Sequence, residues 1–241
     1  MKLLLIRHGD PDYEHDSLTE KGWREASLLS ERMERTPVDA FYVSPLGRAK
    51  DTASLTLRSL HRRAEIKDWL QEFTYHLTNP VTGEKELPWD RMPAEWTRMP
   101  ALYEKDAFLD APLLATGPIR EKYTEVCRGL DALLAQHGYE RDGTLYRAVR
   151  PNRETLALFC HFGVSCVLLS HLLGCSPYIF WQGSVAAPTS VTTLCTEERQ
   201  QGIAIFRMSS FGDTSHLYAG NEEPSFAARF CETYDCFEER H

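Results

Sequence analysis

Short runs of apolar residues recur along the chain, and polar residues follow each of them. Leu3–Ile6 and Thr155–Cys160 carry no charge and end directly at a basic residue. Such runs are typical of strands that are buried on both faces of a parallel sheet. Ala40–Val43 is a further run of this kind, and Ala64–Ile66 is a weaker one. The pattern predicts an α/β domain that contains these four strands.

Helical periodicity between and after these runs predicts four helices. Thr19 is placed to cap the first, and Ser44–Pro45 is typical of an N-cap followed by proline at the first position of the second. The third ends at Gly138, and the fourth, Val164–Leu173, stops at Gly174. Because helices alternate with strands, we expect parallel strands that are joined by helical crossovers.

Composition changes between Phe73 and Pro118. Frequent prolines exclude long helices and central strands there, while the many aromatic residues indicate a packed segment and not disorder. We predict an ordered, Pro/Trp-rich insertion that caps the domain. Its prolines are Pro80, Pro88, Pro93, Pro100, Pro112 and Pro118.

The C-terminal part of the chain predicts two more strands. Val191–Cys195 and Ile203–Phe206 show alternating apolar positions, with Glu197–Gln200 as a charged turn between them. Phe211–His216 is predicted to be a polar loop. The tail from Pro224 to His241 is mixed in composition, with a helix as one interpretation.

The size and charge of the chain limit its class. With 241 residues, of which 42% are hydrophobic, it is expected to bury one substantial core as a single domain over residues 1–241. The net charge of −8 argues against broad binding to nucleic acid or to an anionic membrane, because both favour a basic surface. No run has the layout of a signal peptide or the length of a membrane span. We therefore expect neither a nucleic-acid nor a membrane partner.

The cysteines and most of the histidines indicate no metal. The 7 cysteines form no C-x-x-C pair and lie mostly in apolar stretches, which is typical of reduced thiols and predicts a cytoplasmic protein. Six histidines outside the strand ends show no metal-ligand spacing, so neither a metal nor a cofactor is expected. They are His15, His61, His76, His137, His171 and His241.

Basic side chains follow three of the predicted strands. Arg7 and His8 follow the first strand. Arg48 lies one turn into the helix after the second, and His161 follows Thr155–Cys160. The carboxyl ends of parallel strands meet at one edge of a sheet, where fixed cations can bind a phosphate and stabilise phosphoryl transfer. The sequence predicts a phosphate site at this edge, although each residue alone could be a surface cation or a packed histidine.

The two histidines supply a candidate nucleophile. A neutral imidazole can attack phosphorus and form a phosphohistidine that water later hydrolyses. His8 is the better candidate, because Gly9 leaves room for an anion to approach its ring. A carboxylic acid with a raised pKa could protonate the leaving alkoxide. Glu72 lies in a suitable place downstream of the third strand, with Asp10 and Asp12 as competitors and an ordinary exposed carboxylate as the alternative interpretation.

The pocket for the leaving group is expected to come from the insertion and from the loop Phe211–His216. Asp213 and His216 could line this pocket, and hydrogen bonding within the loop is the alternative. The tryptophans of the insertion could form a substrate cage or serve packing alone. No motif in either segment identifies the substrate.

The motifs Arg7-His8-Gly9, Ser44–Ala49, Glu72 and His161 together resemble those of the histidine phosphatase superfamily, also called the phosphoglycerate mutase-like family. Their order fits from residue 1 to roughly 165. The resemblance implies a mainly parallel sheet flanked by helices on both faces and a metal-free mechanism. It also implies that His8 is the phosphorylated nucleophile. Arg7, Arg48 and His161 would then form the phosphate pocket, and Glu72 would be the proton donor.

The chain departs from the usual patterns of that family at three points. Glu72–His76 stands where mutases usually have E-R-x-Y-G, the G-x-W-E-G element of small phosphatases is absent, and Phe162 replaces a common second glycine. The leading hypothesis is a phosphomonoester hydrolase for a small phosphorylated metabolite. The alternatives are a mutase-like phosphotransferase and a non-catalytic scaffold that binds a phosphorylated ligand. The sequence identifies neither the substrate nor the oligomeric state.

Overall fold

The structure, a computed structural model, describes residues 1–226 and 231–236. Eight strands form one sheet, and four short strands form two separate hairpins. The strands are β1 (Lys2–Arg7), β2 (Pro11–Asp12), β3 (Ser17–Leu18), β4 (Ala40–Val43), β5 (Ala64–Ile66), β6 (Leu77–Thr78), β7 (Lys85–Glu86), β8 (Tyr139–Asp142), β9 (Leu145–Ala148), β10 (Thr155–Cys160), β11 (Val191–Gln200) and β12 (Ile203–Asp213). The α-helices are α1 (Glu20–Glu34), α2 (Gly47–Ser59), α3 (Pro93–Trp96), α4 (Ile119–Gln136), α5 (Phe162–Leu173), α6 (Tyr178–Gly183) and α7 (Ser215–Ala219).

The large sheet has the strand order β5-β4-β10-β1-β11-β12-β9-β8. β5, β4, β10 and β1 pair in parallel, whereas β11, β12, β9 and β8 each pair antiparallel to the preceding neighbour. Two successive antiparallel pairings restore the direction of β1, so six of the eight strands run the same way. The prediction of a mainly parallel α/β sheet is confirmed.

Successive residues of β1 pack on opposite faces of the sheet. Leu4 and Ile6 share a core with buried residues of α1 and α2, and Leu3 and Leu5 share the other core with α4 and α5. This alternation is the period of two expected for a strand, and all four side chains are apolar because both faces are covered. The predicted helices on both faces are therefore confirmed.

The insertion between residues 73 and 118 contains no long regular element. It consists of the hairpin β6–β7, the single turn of α3 and three short 3-10 turns, as its prolines predict. Its apolar side chains are nonetheless buried in the core that also contains α4 and α5. They include Leu77, Leu102, Phe108 and Leu114.

The second helix begins later than predicted. Its N-cap is Leu46 and its first residue is Gly47, so Ser44–Pro45 is not its N-terminus. The Ser44 hydroxyl accepts a hydrogen bond from Leu46 N at 3.2 Å, which is a local turn and not a helix cap. Ser44 is fully buried. Because it does not cap α2, its hydroxyl is available to the side chains at the strand ends.

The two C-terminal strands of the sheet are longer than predicted. β11 continues through Glu197–Gln200, so the prediction of a turn there was wrong. The chain turns instead at Gly202, whose φ of 76° lies in the left-handed region. Charged residues are tolerated at the end of β11 because Glu198–Gln200 are exposed. The predicted polar loop Phe211–His216 is also wrong in part, since β12 extends to Asp213 and α7 begins at Ser215.

The first described part of the tail, up to Ser225, packs on α1. Glu222 forms ion pairs with Lys21 at 2.6 Å and Arg24 at 2.9 Å. Further along, Ser225 N donates to Glu25 at 3.2 Å, and the Ser225 hydroxyl donates to the Asp10 carboxylate. A helix was one interpretation of the tail, but the described residues 231–236 form a turn closed by a bridge between Thr233 and Cys236. Residues 227–230 and 237–241 lie outside the described part of the chain.

Glu25 makes the unfolding free energy depend on pH. Burial raises its pKa from 4.5 to about 7, and the Asp10 carboxylate adds to the rise. A folded-state pKa above the unfolded value stabilises the fold below pH 4.5, and this contribution is lost as pH rises toward 7. The difference in pKa corresponds to roughly 3 kcal/mol of unfolding free energy at most.

The substitution Glu25→Gln tests this pH dependence. Its free energy of unfolding, measured by urea titration, should change less between pH 4.5 and 7 than that of wild type. Glu31→Gln, an exposed control on the same helix, should keep the wild-type slope, and equal slopes in all three proteins would contradict the assignment.

Three further features bear on the predicted class. None of the helices in residues 1–226 and 231–236 combines the length and apolarity needed to cross a membrane. The same residues contain no group of three or more His, Cys, Asp or Glu side chains that could hold a metal ion. All seven cysteines, each of which lies in the described part of the chain, are free thiols.

Candidate active site

The parallel pairing of β1 with β10 brings the two predicted histidines together. Arg7 lies opposite Cys160 in the register, so His8 and His161 both follow at the same edge of the sheet. His8 N donates to the Cys160 carbonyl at 3.0 Å. The two imidazole centroids lie 5.0 Å apart, and both rings are buried. The predicted convergence of these strand ends is therefore present in the structure.

The ring of His8 is held in one tautomer. Its Nδ1 lies 2.7 Å from the Gly9 carbonyl oxygen, which can only accept, so Nδ1 carries the proton. Burial lowers the pKa of His8 well below 6.5, and the positive charges of Arg7 and Arg48 lower it further. The ring is thus neutral at pH 7, with a free electron pair on Nε2. This is the protonation state that a nucleophilic imidazole needs.

Gly9 has a packing role that the sequence did not indicate. A Cβ at this position would lie 2.9 Å from the carbonyl oxygen of Gly22 and 3.3 Å from its Cα. Gly9 therefore allows the end of β1 to pack directly on the backbone of α1. Gly9 N donates to Thr52 Oγ1 at 2.9 Å, which ties the same turn to α2. Close packing on Gly22 therefore requires glycine at this position.

His161 is completely buried and only partly satisfied. Its Nε2 lies 2.7 Å from the hydroxyl of Ser44, which also accepts from Leu46 N. Its Nδ1 has no hydrogen-bond partner among the described residues. Burial lowers the pKa of His161 well below 6.5, with His8, Arg48 and Arg7 adding to the shift. Buried polar nitrogens are normally paired, so Nδ1 is a candidate contact for a bound ligand.

Arg7 is held in place by a backbone carbonyl and by an aromatic ring. Its Nη1 donates to the Ala186 carbonyl at 2.5 Å, and its guanidinium carbon lies 5.8 Å from the centroid of the Phe162 ring. The side chain is only 7% exposed. Phe162, which replaces a common family glycine, therefore packs against the arginine. Stacking on an aromatic ring keeps a guanidinium in place without neutralising it.

Arg48 is held by the loop that follows β1. Its Nη1 lies 2.7 Å from Asp16 Oδ1, and its guanidinium carbon lies 5.5 Å from the centroid of the exposed Tyr13 ring. Its Nε has no hydrogen-bond partner in the part of the chain that the structure describes. Arg48 is 9% exposed, so Nε is, after His161 Nδ1, a second buried nitrogen without a partner among the described residues.

Asp16 was not among the predicted site residues. Its Oδ2 accepts from Gly47 N at 2.6 Å, so one carboxylate joins the start of α2 to Arg48. Burial alone would raise the pKa of Asp16, but the hydrogen bonds from Gly47 and Arg48 hold it below 3.8. The sequence offered no signal for this role, because Asp16 lies among several acidic and polar loop residues.

Glu72 is bound to the first turn of α5, which directly follows His161. Its carboxylate accepts from Val164 N at 3.0 Å, from Gly163 N at 3.3 Å and from Phe73 N at 2.7 Å. The two competing carboxylates are engaged elsewhere. Asp10 binds the hydroxyls of Thr19 and Ser225, and Asp12 binds His15 at 2.8 Å. Of the three carboxylates, Glu72 is the one that these contacts place next to a predicted phosphate residue.

Trp89 of the insertion packs against the same turn of α5. The centroid of its ring lies 6.3 Å from that of the Phe162 ring and 6.0 Å from that of the Trp181 ring. A Cβ on Gly163 would lie 2.4 Å from two carbons of the Trp89 ring and 2.8 Å from Glu72 Oε1. The absence of a side chain at residue 163 thus permits Trp89 and Glu72 to share this position.

Gly163→Ala is expected to displace Trp89. Overpacking of this kind costs about 1–3 kcal/mol of unfolding free energy, which urea titration followed by tryptophan fluorescence measures. Gly183→Ala is the matched control, because a Cβ there has no atom of the described residues within 4 Å. Equal unfolding free energies for the two variants would show that Trp89 does not occupy this position.

Comparison with known families fits this geometry. A family model for the histidine phosphatase superfamily (branch 1) matches residues 3–208. The chain belongs to this superfamily. The match extends from β1 into β12, so it includes all four basic residues of the site and Glu72. The predicted family relationship is confirmed. A search of curated proteins found no match for this superfamily member.

Several solved phosphatase structures have a similar fold. A mutant phosphoserine phosphatase from Entamoeba histolytica, in complex with phosphoserine, gives a TM-score of 0.61 at 19% identity over 90% of this chain and 98% of that chain. A mycobacterial glucosyl-3-phosphoglycerate phosphatase in complex with VO3 gives 0.57 at 19% identity over 88% and 98%. The alpha-ribazole phosphatase from Shigella flexneri gives 0.54 at 20% identity over 89% and 97%. At these identities the similarity establishes the fold of this superfamily member.

Proposed function

We propose that the protein is a metal-independent, cytoplasmic phosphomonoester hydrolase that acts on a small phosphorylated metabolite through a phosphohistidine. The observation that carries the proposal is the environment of His8. A neutral imidazole with a free Nε2 lies among two buried arginines and a second imidazole. Two of the surrounding nitrogens, Arg48 Nε and His161 Nδ1, lack hydrogen-bond partners in the described chain. A phosphate would supply oxygens to both.

The first step transfers the phosphoryl group to His8. Arg7, Arg48 and His161 hold the phosphate oxygens, which neutralises the charge that develops on them. Nε2 of His8 attacks phosphorus as the bond to the leaving oxygen breaks, and Glu72 gives that oxygen a proton. The hydrogen bond from Nδ1 to Gly9 keeps the ring aligned as it becomes positively charged.

The second step returns the enzyme to its starting state. Glu72 takes a proton from a water molecule, the water oxygen bonds to phosphorus, and the bond to Nε2 breaks. Inorganic phosphate then leaves. Glu72 can serve both steps because the N–H groups of Gly163 and Val164 fix its position at the start of α5.

The leaving group is expected to lie against the insertion. Trp89 and Phe162 meet edge to face next to Glu72, so the part of the substrate beyond the scissile bond would contact an aromatic wall. The structurally similar phosphatases act, by their names, on phosphoserine, glucosyl-3-phosphoglycerate and alpha-ribazole phosphate. These names support a small phosphorylated substrate and a hydrolase activity for this chain.

The test is a trapping experiment in the presence of a chelator. Wild-type protein mixed with radiolabelled p-nitrophenyl phosphate should acquire a protein-bound label that survives base and is lost in acid, as phosphohistidine does. Release of inorganic phosphate should need no phosphorylated primer, which separates hydrolysis from mutase chemistry. A protein that binds phosphate calorimetrically but acquires no base-stable label would be the non-catalytic scaffold.

A further inference from the structure

His216, a candidate for the predicted pocket, is one of the most buried histidines among the described residues. It lies in α7, is 6% exposed, and its Nε2 is 3.1 Å from the hydroxyl of Thr189. On the other side of the ring, Nδ1 lies 3.4 Å from Nη1 of Arg32. Arg32 is itself paired with Asp213 at 2.7 Å. Asp213 and His216 therefore belong to one connected network behind the strand ends.

The contacts fix the direction of each hydrogen bond. Arg32 can only donate, so Nδ1 of His216 accepts and Nε2–H donates to Thr189. Burial lowers the pKa of His216 to about 4, and the charge of Arg32 adds to the effect while Asp213 opposes it. The ring is thus neutral and keeps this single orientation at physiological pH. The Thr189 hydroxyl in turn donates to the Pro188 carbonyl at 2.8 Å.

Thr189 has a backbone conformation that few threonines adopt. Its φ is 56°, in the left-handed region, and the residue is fully buried. A β-branched residue is strained there, and such strain persists only when surrounding contacts hold it in place. The hydrogen bond from His216 to its hydroxyl is one of those contacts.

The strained backbone of Thr189 contacts the candidate nucleophile directly. Thr189 N donates to the carbonyl oxygen of His8 at 3.1 Å. On the other side of the same peptide unit, Gly9 N donates to Thr52 Oγ1 at 2.9 Å. The peptide between His8 and Gly9 is therefore held at both ends, and the next carbonyl, of Gly9, sets the orientation of the imidazole.

We propose that His216 and Thr189 are positioning residues for His8: the hydrogen bond from His216 holds Thr189 in its left-handed conformation, and Thr189 N then fixes the peptide that aims the nucleophile. This inference rests on the proposed function, in which His8 attacks phosphorus. Misplacement of a nucleophile by a fraction of an ångström slows the chemical step and leaves phosphate binding intact, because Arg48 and His161 come from other segments.

Two pairs of variants test this role. His216→Leu should lower kcat for p-nitrophenyl phosphate by about tenfold. His216→Gln should restore much of the rate, because its side-chain amide can donate to Thr189. Thr189→Gly should lower kcat similarly, although glycine relieves the backbone strain, whereas Thr189→Ser keeps the hydroxyl and should keep the rate. In all four, the inhibition constant of inorganic phosphate should stay within about twofold of wild type.

The Thr189 pair decides the outcome even if His216→Leu does not fold. A purely structural role predicts that Thr189→Gly, which has less strain, retains the wild-type kcat, and this result would overturn the inference. Equal losses in kcat for the glycine and serine variants would also overturn it, because the hydroxyl would then be irrelevant. His8→Ala is measured in parallel. If that variant is active, the proposed function itself is wrong; if it is inactive while the Thr189 pair behaves as wild type, only the positioning role fails.

Discussion

His8→Ala is expected to lower kcat for p-nitrophenyl phosphate by about 10³-fold or more, because no other group can form the covalent intermediate. His161 is the nearest alternative nucleophile, but its Nε2 is engaged by Ser44, and in the proposed mechanism its Nδ1 binds a phosphate oxygen. Binding of inorganic phosphate, measured by calorimetry, should persist in the variant, since both arginines and His161 remain. The combination of retained binding and lost turnover identifies His8 as the reacting group rather than as part of the anion pocket.

A histidine at the opposite edge of the sheet provides the control. His61 follows α2 and precedes β5, at the amino ends of the parallel strands. Its φ of 52° is well tolerated by asparagine, so His61→Asn should fold normally and keep the wild-type kcat. Both proteins are compared by thermal unfolding to exclude a change in the folded fraction. Activity of His8→Ala within tenfold of His61→Asn would be incompatible with a phosphohistidine at residue 8.

The basic residues of the site could be predicted because their positions depend on local sequence. Arg7 and His161 directly end apolar strands, and Arg48 lies near the start of a helix that follows another. Parallel pairing then places all of these ends at one edge of the sheet without further information. The same reasoning gave the order β1, α1, β4, α2, β5, α4, β10 and α5, but it missed β8 and β9 and the short elements β2, β3, β6, β7 and α3.

The partners of these residues could not be predicted, because they come from segments that are distant in sequence. The contact of His161 with Ser44 spans 117 positions, and that of Arg7 with Ala186 spans 179. Ser44 was instead assigned to a helix cap, which is the commonest local use of a serine before proline. Likewise, nothing in the local sequence indicates that Thr189 adopts a left-handed conformation. Such details depend on the packing of the finished fold.

Glu72→Gln is expected to affect substrates according to their leaving group. Glycerol phosphate releases an alkoxide that needs a proton, so kcat/KM for it should fall by about 10²-fold or more. p-Nitrophenolate leaves without a proton, and the loss for the aryl phosphate should be much smaller. The substitution also places an amide N–H against backbone N–H donors, which lowers stability. The ratio of the two kcat/KM values in the same variant does not depend on that loss.

Asp12, the competing carboxylate, provides the control variant for this experiment. Asp12→Asn should leave the ratio of the two substrates at the wild-type value, because Asp12 pairs with His15 on the exposed loop. If the ratio of the two kcat/KM values changes in Asp12→Asn and not in Glu72→Gln, the proton donor is Asp12, on the loop after β1. Equal losses for both substrates in Glu72→Gln would mean that the carboxylate only holds the start of α5 in place. A selective loss for glycerol phosphate requires that Glu72 deliver the proton, because packing defects do not distinguish an alkoxide from a phenolate.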